Sequence, residues 1–156
     1  MIRKVLLVFV GSFVLIQFIH PAKNESSAPV PLSLKLNYPV PDSVASILEV
    51  ACNDCHTNNS RYPWYDRIQP VTWFVAYHIS GGKRHLNFDG FAGYPVKRQV
   101  KRLKDIVKTV QNGTMPLHSY TWMHKDAILT PAQKQCLCNW ADGLRKQITD
   151  TTKAAL

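Results

Sequence analysis

Two cysteines and a histidine lie together in the segment Cys52-Asn53-Asp54-Cys55-His56. Cysteines three residues apart at the end of a helix can each form a thioether with one vinyl group of a haem. The histidine that follows can then supply a ring nitrogen to the iron. This C-x-x-C-H spacing is the attachment signature of c-type haem. The sequence therefore predicts one covalent haem c on Cys52 and Cys55, with His56 as the proximal iron ligand.

Other interpretations of the same cysteines remain open. A zinc site needs four protein ligands, and Cys136 and Cys138 could complete one, although side chains two positions apart on a helix point in different directions. A thioredoxin-like redox pair requires a βαβ context, which we do not find. A disulfide between Cys52 and Cys55, in an exported interaction domain without haem, is the remaining alternative. We interpret Cys136 and Cys138 as buried, small apolar side chains.

A haem iron also has a second axial position. Met115 follows the motif by about 60 residues, in a predicted irregular loop and directly before a proline. A methionine in this setting is typical of cytochromes c, where a thioether ligand raises the redox potential. We predict Met115 as the sixth ligand and His85 as its main alternative, with His118 and His124 as further competitors. A methionine that only fills a gap in the core, and an open sixth position, are the other interpretations.

Aromatic residues are concentrated just after the motif and again just after Met115. Because haem is a large, flat and mostly apolar ring, such side chains could form the walls of its pocket. An ordinary aromatic core is an equally good explanation for any one of them. The residues concerned are Tyr62, Trp64, Tyr65, Trp73, Phe74, Tyr77, Tyr120 and Trp122.

The N-terminal segment predicts export. Arg3 and Lys4 precede an apolar run from Val5 to Ile19, which is the pattern of a signal sequence. The run is short for a full membrane span, and no clear cleavage site follows it. We predict that residues 1–20 form a signal anchor, with a cleaved signal peptide as the alternative. Either one places the remaining chain outside the cytoplasm, anchored to the cytoplasmic membrane or free in the periplasm, where covalent c-type haem is assembled.

The rest of the chain divides by composition. Residues 21–41 are rich in Pro, Ser and Asn and predict an extended linker. Residues 42–148 are predicted to form the folded domain, followed by a tail at 149–156. Apolar spacing, proline and glycine signals predict four helices: from Asp42 or Ser43 to Cys52, from Pro70 to a stop at Gly81-Gly82, from Pro95 to Asn112-Gly113, and from Thr130-Pro131 onward. Residues 114–128 look irregular and no strand is convincing, so the predicted fold class is all-α.

The chain is basic, with 19 Lys and Arg against 10 Asp and Glu and a net charge of +9. No motif of a known nucleic-acid-binding module is present, so we do not expect nucleic acid as a partner. The third predicted helix has a basic face that is opposed only by Asp105. This face could bind an acidic redox partner or anionic lipid, or it could simply be solvated. Its basic residues are Lys97, Arg98, Lys101, Arg102, Lys104 and Lys108.

Several segments taken together resemble the haem-binding domain family of bacterial exported or membrane-anchored c-type cytochromes. The resemblance covers roughly residues 40 to 145, and it departs from the family pattern at Leu117, where a second proline after Met-Pro is usual. The matching segments are Cys52-Asn53-Asp54-Cys55-His56-Thr57-Asn58-Asn59, Arg61-Tyr62-Pro63-Trp64-Tyr65, Ile68-Gln69-Pro70-Val71, His85-Leu86-Asn87-Phe88, Tyr94-Pro95 and Met115-Pro116.

The resemblance implies haem binding and electron transfer in the cell envelope. With it, the sequence predicts a small cytochrome c-like helical domain around one haem, tethered through its N-terminal helix, which transfers single electrons and is not an enzyme. The alternatives are a haem sensor or a peroxidase-like module with an open sixth coordination position, or the non-haem interaction domain with a Cys52–Cys55 disulfide.

Overall fold

The computed structural model describes residues 1–154 of the chain and is built from helices. The helices are α1 (Ile2–Ile16), α2 (Leu34–Asn37), α3 (Asp42–Ala51), α4 (Asn53–His56), α5 (Val71–His85), α6 (Val96–Gln111), α7 (His118–Met123) and α8 (Pro131–Ala154). Short 3-10 turns cover Trp64–Arg67, Phe88–Gly93 and Lys125–Ala127. No β-strand occurs in residues 1–154, so the all-α prediction is confirmed.

Helix α1 covers most of the apolar N-terminal segment. Within residues 1–154, no helix combines the length and the apolar character that crossing a membrane requires. Helix α1 has 15 residues, which at the rise of an α-helix is about 22 Å. The signal anchor and the cleaved signal peptide considered for residues 1–20 both stay predictions.

Residues 21–41 contact the folded domain along much of their length. The side chain of Asn24 donates hydrogen bonds to the carbonyl of Thr57 at 2.9 Å and to the hydroxyl of Ser60 at 2.8 Å. Farther on, the carbonyl of Leu32 accepts a hydrogen bond from the Ala92 amide at 2.9 Å, and Leu34 in α2 is 2% exposed. The core therefore begins before Asp42, although these residues have the composition of a linker.

Helices α3, α6 and α8 enclose the core. Helix α6 packs along α8, and α3 contacts α8 as well. The helical spacing predicted for α6 is present: Leu103 and Val110 are buried, and Val100 and Val107 pack half-buried against the same cluster. Among the deepest apolar side chains are Val44 in α3, Leu103 in α6, Leu137 and Ala141 in α8, and Phe91 in the turn between α5 and α6.

The predicted ends of α6 and α8 are confirmed. Helix α6 ends before Gly113, whose φ of +74° lies in the left-handed region that glycine adopts without steric cost. Helix α8 begins with a capping box, in which the Gln133 amide donates to the Thr130 hydroxyl and the Thr130 amide donates to the Gln133 side chain. The helix continues to Ala154, through most of the predicted tail. Cys138 is 3% exposed, as expected for a small apolar side chain, and Cys136 is half-buried.

Two segments differ from the predictions. The region 114–128, expected to be irregular, contains α7 and a 3-10 turn, which carry little apolar periodicity because they are short. Helix α5 does not stop at Gly81-Gly82 but continues to His85. A Cβ atom on Gly82 would lie 2.5 Å from the carbonyl oxygen of Cys55. Gly82 is therefore needed for the close approach of α5 to α4, and not to end the helix.

We expect Gly82→Ala to lower the free energy of unfolding, because the added methyl forces α5 away from Cys55. Overpacking of this kind costs about 1–3 kcal/mol. Gly81→Ala is the matched control in the same helix, since its Cβ would meet only the flexible end of Arg84 at 3.9 Å. That variant should be neutral or gain up to about 1 kcal/mol of helix propensity. Equal stability of the two variants in chemical denaturation would contradict this role for Gly82.

Candidate functional site

The C-x-x-C-H motif begins at the end of α3 and continues through the single turn of α4. Cys52 is half-buried and directly follows α3, and its carbonyl accepts hydrogen bonds from the amides of Cys55 at 3.1 Å and His56 at 3.0 Å. The chain then leaves α4 in an extended conformation at Thr57. This turn keeps the two thiols and the imidazole on a single short segment, so the position expected for the motif at a helix end is present.

The imidazole of His56 is fixed by one hydrogen bond. Its Nδ1 atom lies 2.8 Å from the carbonyl oxygen of Leu86, just beyond the end of α5. A carbonyl can only accept, so Nδ1 carries the proton and the lone pair is on Nε2. Burial lowers the pKa of His56, although hydrogen bonds to backbone carbonyls act in the opposite direction. The ring is therefore neutral at neutral pH, which is the form that binds a metal.

Asp54, inside the motif, was not singled out by the sequence analysis. Its side chain is 10% exposed and accepts hydrogen bonds from the backbone and the guanidinium of Arg61, both at 3.1 Å. The Tyr120 hydroxyl donates to its other oxygen at 2.7 Å. Burial and the Asp54 carboxylate raise the pKa of Tyr120, so this hydroxyl stays protonated and donates. A local sequence pattern could not show this, because Tyr120 is distant along the chain.

Burial also keeps both motif cysteines protonated. It raises the pKa of the Cys52 thiol to about 12, with a smaller effect of neighbouring Cys55. Burial, together with the Asp54 carboxylate, raises the pKa of the Cys55 thiol to about 11. Thiolates are the reactive form of cysteine. The two thiols are thus uncharged at neutral pH and are compatible with an apolar surrounding.

A cavity of about 660 Å³ adjoins the motif. This volume is in the range of cofactor and ligand pockets. Cys52, Cys55 and His56 line one side of it, and α5 and α6 supply others. Apolar side chains from α3, α6, α8 and the segment before α8 form much of the remaining wall: Leu48, Ala51, Ile106, Val110, Leu129 and Leu137. The residues present fit a large, flat and mostly apolar group held on its edge by the motif.

The structure brings two of the four candidate sixth ligands to this cavity. Met115 lines it, half-buried, and its amide donates to the carbonyl of Thr109 at 3.0 Å, which fixes the loop after α6. His85 also lines it, from the exposed end of α5. His118 instead lies in a separate surface depression. His124 lies away from the cavity lining, and its Nε2 is 2.6 Å from the hydroxyl of Tyr65.

Only some of the aromatic residues considered from the sequence line the cavity. Of the eight considered from the sequence, Tyr77 and Tyr120 line the cavity, together with Phe88, which the sequence analysis did not select. The Phe88 ring lies 5.9 Å from the His56 ring. The other six lie elsewhere, several of them on the surface. Trp64 and Trp122, for example, are 69% and 78% exposed. Aromatic composition alone does not distinguish pocket residues from surface residues, because aromatic side chains of both kinds are close to the motif in the sequence.

The structure provides no support for the zinc alternative. Among residues 1–154, no three His, Cys, Asp or Glu side chains lie together in an arrangement that could hold a metal ion. Cys136 and Cys138 are in α8, outside the cavity lining. All four cysteines are free thiols. The donors at the motif are therefore two thiols and one imidazole, which suit haem attachment better than a four-ligand metal site.

Comparison with known proteins gives one match. A profile of the haem-binding domain family matches residues 11–143 of this chain. No curated protein and no solved structure matches the chain significantly. The matched range includes the motif, the cavity and Met115, and it begins within α1, well before the boundary predicted at residue 42.

Proposed function

Because this chain belongs to the haem-binding domain family, we propose that it carries one haem, bound covalently through Cys52 and Cys55, and transfers single electrons. The observation that supports this most strongly is the shared cavity of the motif and Met115. In that cavity the Nδ1–Leu86 hydrogen bond leaves Nε2 of His56 free as a ligand. When bound, the haem supplies the redox chemistry, and the chain positions it and excludes water.

Each residue of the site has a distinct task in this proposal. Cys52 and Cys55 would hold the haem covalently, and apolar side chains of α3, α6 and α8 would surround it. The Leu86 carbonyl orients the His56 ring and increases its basicity, as such second partners do for metal-binding histidines. Asp54 with Arg61 and Tyr120 holds the turn that carries both thiols. Met115 is the proposed sixth ligand, because its loop borders the cavity and methionine ligation suits an electron carrier.

We propose that the chain acts as a carrier and not as an enzyme. If His56 and Met115 both bound the iron, no coordination site would be left for a substrate. We also propose that it acts in the cell envelope after export directed by residues 1–20. The positive residues Arg3 and Lys4 before an apolar run support this, as does the requirement that c-type haem is attached outside the cytoplasm.

The first test is covalent attachment. We expect the full chain, made in a bacterial host that matures c-type cytochromes, to retain a haem stain after denaturing gel electrophoresis. Cys52→Ala combined with Cys55→Ala should abolish the stain, and so should deletion of residues 1–20, because the chain then stays in the cytoplasm. Cys136→Ala is the control and should keep it, since Cys136 does not line the cavity. Absence of covalent haem in the full chain would refute the proposed function.

The second test addresses the sixth ligand. We expect the oxidised protein to show the weak far-red charge-transfer band of methionine-ligated ferric haem. Met115→Ala should remove this band and open the iron to rapid carbon monoxide binding after reduction. His85→Ala should leave the band in place, because His85 is the exposed alternative. Rapid carbon monoxide binding by the unmodified protein would instead favour the sensor or peroxidase-like function with an open sixth position.

We further propose that an acidic redox protein docks on the basic face of α6. Lys97, Lys101 and Lys104 are exposed there, and Arg102 and Lys108 on the same helix line the cavity. Positive charge at the docking site accelerates association with negative partners. Changing Lys97, Lys101 and Lys104 to glutamine should slow electron transfer to ferricyanide and weaken its dependence on salt. Electron transfer to a cationic cobalt complex should become faster. Equal changes in the rates with the two reagents would contradict a docking role for these lysines.

A further inference from the structure

The guanidinium of Arg102, at the cavity, has a hydrogen-bond donor without an acceptor. Its side chain is 20% exposed and lines the cavity from α6. One nitrogen, Nη1, pairs with the Asp105 carboxylate at 3.0 Å. The Nε atom is buried and has no hydrogen-bond partner among the described residues. A buried donor without an acceptor is costly and rare, so this atom points to an acceptor that the chain itself does not supply.

The geometry of the guanidinium narrows the identity of that acceptor. Its N–H groups form a planar fork that matches a carboxylate with two parallel hydrogen bonds. Asp105 is bound through Nη1, so the edge formed by Nε and Nη2 remains for a second carboxylate. The haem proposed above carries two carboxylates, its propionates, on the edge of the porphyrin opposite the vinyl groups. The motif holds the vinyl edge from α3 and α4, whereas Arg102 lies on α6, a different wall of the same cavity.

We propose that Arg102 binds a haem propionate through its Nε and Nη2 groups, while Asp105 holds the guanidinium through Nη1. This inference depends on the haem of the proposed function and assigns the carboxylate contact to one side chain. The other cationic groups at the cavity are less well placed. Arg84 and Lys108 are exposed, and Nη1 of Arg84 already donates to the Ser80 hydroxyl at 2.8 Å. The Nε atom of Arg102 is covered in this structure, so the side chain turns toward the cavity when it binds the propionate.

The test uses the full, haem-loaded protein and two variants of Arg102. Arg102→Gln removes both the charge and the fork, and Arg102→Lys keeps the charge but not the fork. The readouts are the haem stain on a denaturing gel, the midpoint potential, and the infrared stretching bands of isotope-labelled propionate carboxylates. Arg145→Gln is the matched control, because Arg145 pairs with Asp142 at 3.0 Å in α8 and does not line the cavity.

We expect the haem stain to persist in all three variants. The propionate bands should shift in both Arg102 variants and not in Arg145→Gln. The midpoint potential should fall in Arg102→Gln, since loss of a nearby positive charge favours the oxidised haem, and should change less in Arg102→Lys. Unshifted propionate bands in either Arg102 variant that retains haem would overturn the inference and leave the proposed function intact. If Arg102→Gln does not fold, the propionate bands of Arg102→Lys alone test the inference. Absence of covalent haem in the unmodified protein would overturn the proposed function itself.

Discussion

The hydrogen bond from His56 to the Leu86 carbonyl is the contact on which the geometry of the site depends. It selects the tautomer of the imidazole and fixes the plane of the ring. The carbonyl is itself held in place, because Leu86 is buried and its amide donates to the Gly82 carbonyl at 2.8 Å, which ends α5. A change in the position of α5 would therefore change the direction of Nε2. The absence of a side chain at Gly82 allows α5 to lie this close to α4.

The opposite side of the motif is held by electrostatics. The Asp54 carboxylate has little contact with water, and Arg61 and Tyr120 donate to both of its oxygens. Hydrogen bonds to a charged acceptor are stronger than neutral ones, and they gain strength in a region of low dielectric. This network joins the motif to the loop that follows it and to α7. Since α7 comes directly after the Met115 loop, one carboxylate links the two parts of the chain that supply the proposed axial ligands.

The sequence was sufficient for the features that depend on local chemistry. The C-x-x-C-H spacing identified the motif, and the apolar period identified α6. The capping box and Gly113 marked helix ends, because a cap and a left-handed residue act over one turn. The contacts between distant segments could not be predicted. Gly82 resembled a helix stop because it is one of two adjacent glycines. Its close contact with Cys55 could not be predicted, since Cys55 lies in another helix. Residues 21–41 had the composition of a linker, although Leu34 is part of the core.

Helix α6 shows why a basic surface pattern alone was ambiguous. Its apolar side packs on α8, and its charged side was compatible with docking, lipid binding or simple solvation. The structure separates these charges by position: Arg102 is mostly buried at the cavity, whereas Lys97, Lys101 and Lys104 are exposed. Asp105 pairs with both Lys101 and Arg102. Because buried charges are screened less than exposed ones, Arg102 is placed to affect the proposed haem directly. The exposed lysines are the ones available to the proposed acidic partner.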